Sequence, residues 1–207
     1  MYHNLPVRID IAGTQESIAQ ITAKTLYGCY DNFYNLHNMV LAVAGNADVD
    51  EIVEVADKVL KPVEGKMAQR KVIDEPEEVI DSYIEEKLSV ATPQFMFGFK
   101  ESWDTPERTT KEEISMEILL DMISGQSSEL YKRLFDGKLI NNSFGFEYFT
   151  GFGYSCVLFA GESNDPKKVA EEIVGEIGKF RETGFDKTAF ERTKKKLYGL
   201  SLIHISE

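Results

Sequence analysis

Cysteine, histidine and long apolar runs are scarce in this sequence, and each scarcity removes a class of protein. Two cysteines and three histidines occur in 207 residues. Cys29 and Cys156 lie far apart, inside the apolar runs 26–34 and 154–160, and do not form the close pair of a zinc knuckle or a redox motif. Both are expected to be free, buried thiols in a reducing compartment. No stretch of about 18 consecutive apolar residues occurs, and residues 1–6 have no apolar segment of the secretory type. The expected location is therefore the cytoplasm, with no membrane span. Positive charge is also short: 23 basic residues against 35 acidic ones leave a net charge of -12, and the pI is near 4.8. Long-range repulsion then opposes binding to nucleic acid or to an anionic membrane surface.

Local catalytic motifs are equally sparse. His3, His37 and His204 include no two at the three- or four-residue spacing that sets a pair of zinc ligands on one helix face. His37, in Asn35-Leu36-His37-Asn38, reads as a turn histidine. There is no G-x-S-x-G nucleophile elbow, and Gly151-Phe152-Gly153 lacks the third glycine of a phosphate loop. Carboxylates abound, but none stands out as a tuned acid and base. The run Lys194-Lys195-Lys196 reads as a solvated helix face. No catalytic, cofactor-binding or metal-ligating residue is assigned from these patterns.

What the chain does have is a hydrophobic content of 43% and an aromatic content of 11%, enough for a sizeable core. Thr14 and Thr22 are placed to cap two successive helices. In the second, Leu26, Cys29, Tyr30 and Phe33 recur at helical spacing and predict a buried stripe. Residues 39–44 form a short continuous apolar run ending at Gly45, which predicts a central strand. Asp48 and Glu51 then start a helix that stops before Pro62. Residues 61–78 are polar and charged and read as a connection.

Beyond it, residues 79–90 and 94–100 predict two strands, the second alternating Phe95, Phe97 and Phe99 with Met96 and Gly98. Thr109 and Glu112 form a capping box for a helix that Gly125 is expected to close in a left-handed conformation. A shorter helix follows over 127–135. Residues 142–149 and 154–160 predict an antiparallel hairpin. Asp165-Pro166 opens a helix carrying Val169, Ile173, Ile177 and Phe180 inward, and Asp186 opens another. This order is not the alternation of a doubly wound parallel sheet. It predicts an α+β class, an antiparallel-rich sheet with helices on one face.

Several of these segments together resemble one family. His3-Asn4-Leu5-Pro6-Val7, Gly13-Thr14-Gln15-Glu16-Ser17-Ile18, Ile21-Thr22, Phe33-Tyr34, Asn38-Met39-Val40-Leu41 and Ala44-Gly45-Asn46-Ala47-Asp48 follow one another as in the insulinase/pitrilysin zinc peptidases, just after the third zinc ligand. Ser127-Ser128-Glu129-Leu130-Tyr131 and Leu134 extend the likeness, which covers about residues 1–200. The resemblance implies the LuxS/processing-peptidase-like metallohydrolase fold. It also implies two homologous domains around a chamber, with zinc on an H-x-x-E-H helix whose glutamate is the general base.

None of those zinc-binding residues is in this chain, so the resemblance implies a piece that starts after the zinc motif. Zinc is expected in the complete protein and not on this chain. The expected divisions are 1–62 for the end of the zinc-bearing domain, 63–78 for a linker, 79–200 for the sister domain and 201–207 for a doubtful tail. The sister domain of many members carries R-E-x-x-G-L-x-Y, an arginine and a tyrosine that engage substrate. Here Phe135 and Asn141 stand in their places. In two-subunit members the zinc motif and the Arg/Tyr pair lie on different chains, so the resemblance implies a homologous partner subunit and a peptide or protein substrate. The segment Leu139-Ile140-Asn141-Asn142-Ser143-Phe144-Gly145 is similar to a bacterial subgroup associated with modification of elongation factor P. A non-catalytic assembly subunit of the same fold is the alternative.

Overall fold

Each helix begins where a side-chain oxygen can satisfy the open N–H groups of a first turn. The computed structural model describes residues 1–61, 64–102 and 107–204. Thr14 caps α1, Gln15–Ala19, and exchanges hydrogen bonds with Ser17. Thr22 caps α2, Ala23–Phe33, and Asp48 caps α3, Val49–Val59. After β1, Gln94–Glu101, Thr109 and Glu112 make the expected reciprocal box at the head of α4, Thr110–Ser124. Ser128 caps α5, Glu129–Asp136. The strands β2, Gly145–Gly151, and β3, Tyr154–Glu162, follow. Asp165 caps α6, Pro166–Thr183, whose first turn holds the proline. Asp186 accepts from the amides of Thr188 and Ala189 at the start of α7, Lys187–His204.

The chain divides into two compact units: residues 1–5 with the chain from Ile73 onward, and Pro6–Val72. In the larger unit the three strands form an antiparallel sheet in the order β1-β3-β2. The register sets Phe97, Phe159 and Phe146 in one row and Phe99, Val157 and Tyr148 in the next, all on one face because side chains alternate. Helices α4 and α6 contact the sheet at β2 and β1. Leu120 and Ile123 of α4, Leu130 and Leu134 of α5, and Val169 and Ile173 of α6 close a core on Phe159. The hairpin turn is Phe152-Gly153, with Gly153 at φ 82°, a conformation that glycine adopts without a Cβ clash.

Several expectations are corrected. Residues 39–44 and 79–90 form no strand. A strand needs a hydrogen-bonding neighbour, and none of the three strands described pairs with either run. The α2 stripe is exposed, with Leu26 at 60% and Tyr30 at 57%, because no described residue of the Pro6–Val72 unit is buried against it. Cys29 on that helix is consequently exposed, whereas Cys156 in β3 is buried as expected. Gly125 is not left-handed: its φ is -63°. A Cβ there would lie 2.3 Å from Asp121 Oδ1, so crowding explains the glycine. Lys196 is not purely solvated either, since its Nζ meets the buried carboxylate of Asp121 at 2.7 Å. Pro62 and the end of the doubtful tail, 205–207, lie outside the described residues.

Leu134 is fully enclosed between the helices and the sheet. Leu134→Ala is expected to destabilise the larger unit by about 3 kcal/mol through lost transfer energy and an unfilled cavity. Urea unfolding followed by circular dichroism measures it, and a loss under about 1 kcal/mol would contradict this packing.

Candidate functional site

Short helix α5 and the segment that follows it carry the two positions at which the resemblance placed substrate contacts, Phe135 and Asn141. Ser128 fixes its start, and Leu130 and Leu134 anchor it to the core. Arg133, on the same helix, is forked between Glu172 Oε2 at 3.0 Å and Glu176 Oε2 at 2.8 Å on α6. The hydrogen bond to Glu176 comes first among the causes that hold its guanidinium above the usual value. Arg133 is thus committed to holding α5 against α6. Phe135, at 43% exposure, stacks on Tyr131 with ring centroids 5.9 Å apart. After Lys138, at φ 55°, the chain turns back into the core at Ile140. Asn141 then donates from Nδ2 to Glu162 Oε2 at 2.7 Å, and its Oδ1 accepts from the amide and hydroxyl of Ser143. Phe135 offers no polar group, and both polar atoms of Asn141 are engaged within the loop.

The densest polar cluster is elsewhere and was not anticipated. Glu75, in the connecting stretch, accepts from Lys100 Nζ at 2.7 Å and from the amides of His3, Asn4 and Leu5. Lys100 also donates to the Glu78 carbonyl at 3.2 Å and lies 5.0 Å from the ring centre of Tyr2. Tyr2 donates to the Ser155 carbonyl at 2.9 Å. Burial, then the neighbouring Cys156, pushes the Tyr2 phenol up, and burial likewise raises the Cys156 thiol. For Glu75 burial acts upward too, but Lys100 and the three amides outweigh it and hold the carboxyl at about 2. The only local signal was an acid beside Pro76 in a polar run; its partners are 25 and about 70 residues away.

Zinc requires three or four converging nitrogen, sulfur or carboxylate ligands. Among the described residues no group of three or more His, Cys, Asp or Glu could hold a metal ion. His3 uses its amide on Glu75 and has its ring Nε2 3.1 Å from the Glu78 carbonyl. His37 lies in the turn Leu36–Asn38, as its sequence context predicts. The described residues therefore do not fit a zinc centre. In the Pro6–Val72 unit an open depression of about 590 Å³ is lined by Lys24, Cys29, Phe33 and Lys66 among others. It too gathers no set of metal ligands. No described helix is long and apolar enough to cross a membrane.

Residues 20–197 match the family model described as the peptidase M16 inactive domain. The chain belongs to the M16 peptidases. M16 comprises the insulinase/pitrilysin proteins named above. A curated relative, the uncharacterized zinc protease YmfH of Bacillus subtilis strain 168, is 34% identical over 178 residues, covering 84% of this chain and 42% of that protein. An M16-like peptidase from Alicyclobacillus acidocaldarius superposes with a TM-score of 0.87 at 35% identity, over 100% of this chain and 50% of the other. A protease from Helicobacter pylori shares the fold, with a TM-score of 0.81 at 18% identity over 100% of this chain and 51% of that one. The chain thus spans about half the length, or less, of these proteins.

The low value for Glu75 carries a sign. The folded state holds the ionised carboxylate, so its contribution is complete above the ordinary value of 4.5 and is lost as the pH falls toward about 2. Glu75→Gln is expected to cost about 2 kcal/mol at pH 7. The gap between variant and parent should close between pH 4.5 and 2 in parallel urea titrations; a gap that is constant across that window would contradict the assignment.

Proposed function

We propose that this chain forms the non-catalytic part of an M16 zinc peptidase that cleaves peptide bonds in a chamber. The observation that carries the reading is the match of residues 20–197 to the inactive domain of the family. The name of the B. subtilis relative, a zinc protease, supports a zinc centre in the whole protein. In this reading residues 1–62 close the zinc-bearing domain, 63–78 link, and 79–200 form the sister domain, with the metal held by residues outside this chain. A cytoplasmic location accords with the sequence.

The finer reading concerns the division of labour. Negative charge developing on a tetrahedral intermediate needs positioned donors. Phe135 has none, and the amide of Asn141 is spent on Glu162. A homologous subunit bearing the arginine and tyrosine would supply them. The likeness of segment 139–145 to the subgroup associated with elongation factor P suggests modification of that factor as the context.

Co-expression of the complete gene with a neighbouring M16 member tests both levels. The expected result is a stable complex that cleaves peptides only with zinc bound, and whose kcat/KM drops at least about a hundredfold when the partner's arginine or tyrosine is removed. A zinc-free, inactive complex would instead establish the assembly subunit. A complete protein that is monomeric and fully active alone would refute the two-subunit reading.

A further inference from the structure

Helices α6 and α7 have the same length, 18 residues, and are held in opposite ways. α6 sets Val169 and Ile173, both fully enclosed, into the core, and Arg133 of α5 forks onto two of its glutamates. α7 contributes no described residue to that core. It packs chiefly on α4, and among its described residues Thr193 alone is buried, with Ala189, Phe190 and Leu197 half-buried on the same stripe. One turn beyond Thr193, Lys196 Nζ meets Asp121 Oδ1 at 2.7 Å. Asp121 is badly placed for a carboxylate. Its side chain is 7% exposed, and its Oδ2 has no hydrogen-bond partner among the described residues. It stands in the last turn of α4, where the negative end of the helix dipole disfavours an anion, and that turn carries no basic residue. What compensates the charge is one lysine on another helix, itself half-exposed.

We propose that Asp121 and Lys196 make α7 a separable strap: its docking on α4 is a step of its own, set by the charge balance at Asp121, and the rest of the larger unit stands without it. When α7 leaves, the Asp121 carboxylate regains water on both oxygens, so that rehydration offsets the lost ion pair. Little apolar surface then opposes the departure, because the α7 stripe buries only one residue and that residue is a threonine. α6 has no such relief, since its departure would expose Val169 and Ile173. A free helix of 18 residues is marginal in water, so α7 melts as it separates. Lys196 is on this account a positioning residue, and the strap is opened by whatever removes its charge.

Native-state amide exchange on the full chain tests this. In the parent the amides of Thr193 and Leu197 are expected to exchange at least about a hundredfold faster than those of Val157 and Phe159 in β3. Equal rates would make the larger unit one cooperative block and overturn the proposal. Lys196→Met leaves Asp121 without its cation, and the α7 amides should then exchange about tenfold faster again while β3 keeps its protection. Adding Asp121→Asn to Lys196→Met removes the charge that needed the cation, and α7 should return to within about threefold of the parent. An absent acceleration in Lys196→Met, an equal acceleration in β3, or a chain that no longer folds would each overturn the strap. So would a double variant with no recovery, which would show that Lys196 holds α7 through the packing of its stem.

Discussion

Only one strand of a three-stranded sheet has its backbone satisfied on both sides, and here that strand is β3. Its pairing with β1 and β2 sets three phenylalanines in a row and so creates the surface on which α4, α5 and α6 can bury leucine, isoleucine and valine. The other face of the same strand presents Cys156 to Tyr2 and, through the register, aligns Lys100 beneath the amino-terminal residues. Helix packing and the Glu75 cluster therefore both depend on the residue-by-residue alignment of β3. A slip of one residue would exchange the two faces and destroy both.

Those parts of the fold that rest on neighbouring residues were legible. Thr14, Thr22, Asp48, Thr109, Ser128 and Asp165 stand at or next to the predicted helix starts, since a cap is a contact across two or three residues. The alternation at 95–99 identified β1, and the glycines around 151–153 identified the hairpin. Apart from the left-handed cap expected at Gly125, what failed were inferences that needed a distant neighbour. The apolar runs 39–44 and 79–90 have strand composition, but composition does not supply a ladder partner. The α2 stripe has core periodicity, but periodicity does not say what covers it. Glu75 and Tyr2 escaped notice, and Lys196 was taken for a solvated residue, because each finds its partner 25 to 153 residues away.

Membership of the M16 family was legible for the opposite reason: an ordered series of short motifs identifies ancestry without requiring that any contact be known. The candidate site was less so. Phe135 and Asn141 were recognised by what they replace, but only the structure shows that Asn141 is tied to Glu162 and Ser143 and that Arg133, two residues before Phe135, is held by α6. Asn141 and Arg133 are thus engaged in holding the region together.

The ion pair between Asp121 and Lys196 has a consequence for how the molecule is made. Asp121 is buried, one of its oxygens meets Lys196, and the other has no hydrogen-bond partner. An unpaired carboxylate resists entering a core, because removing its hydration is costly. As the chain leaves the ribosome, Asp121 emerges 75 residues ahead of its cation. The carboxyl-terminal turns of α4 therefore stay wet until those 75 residues have been added, and the arrival of α7 is what allows them to close.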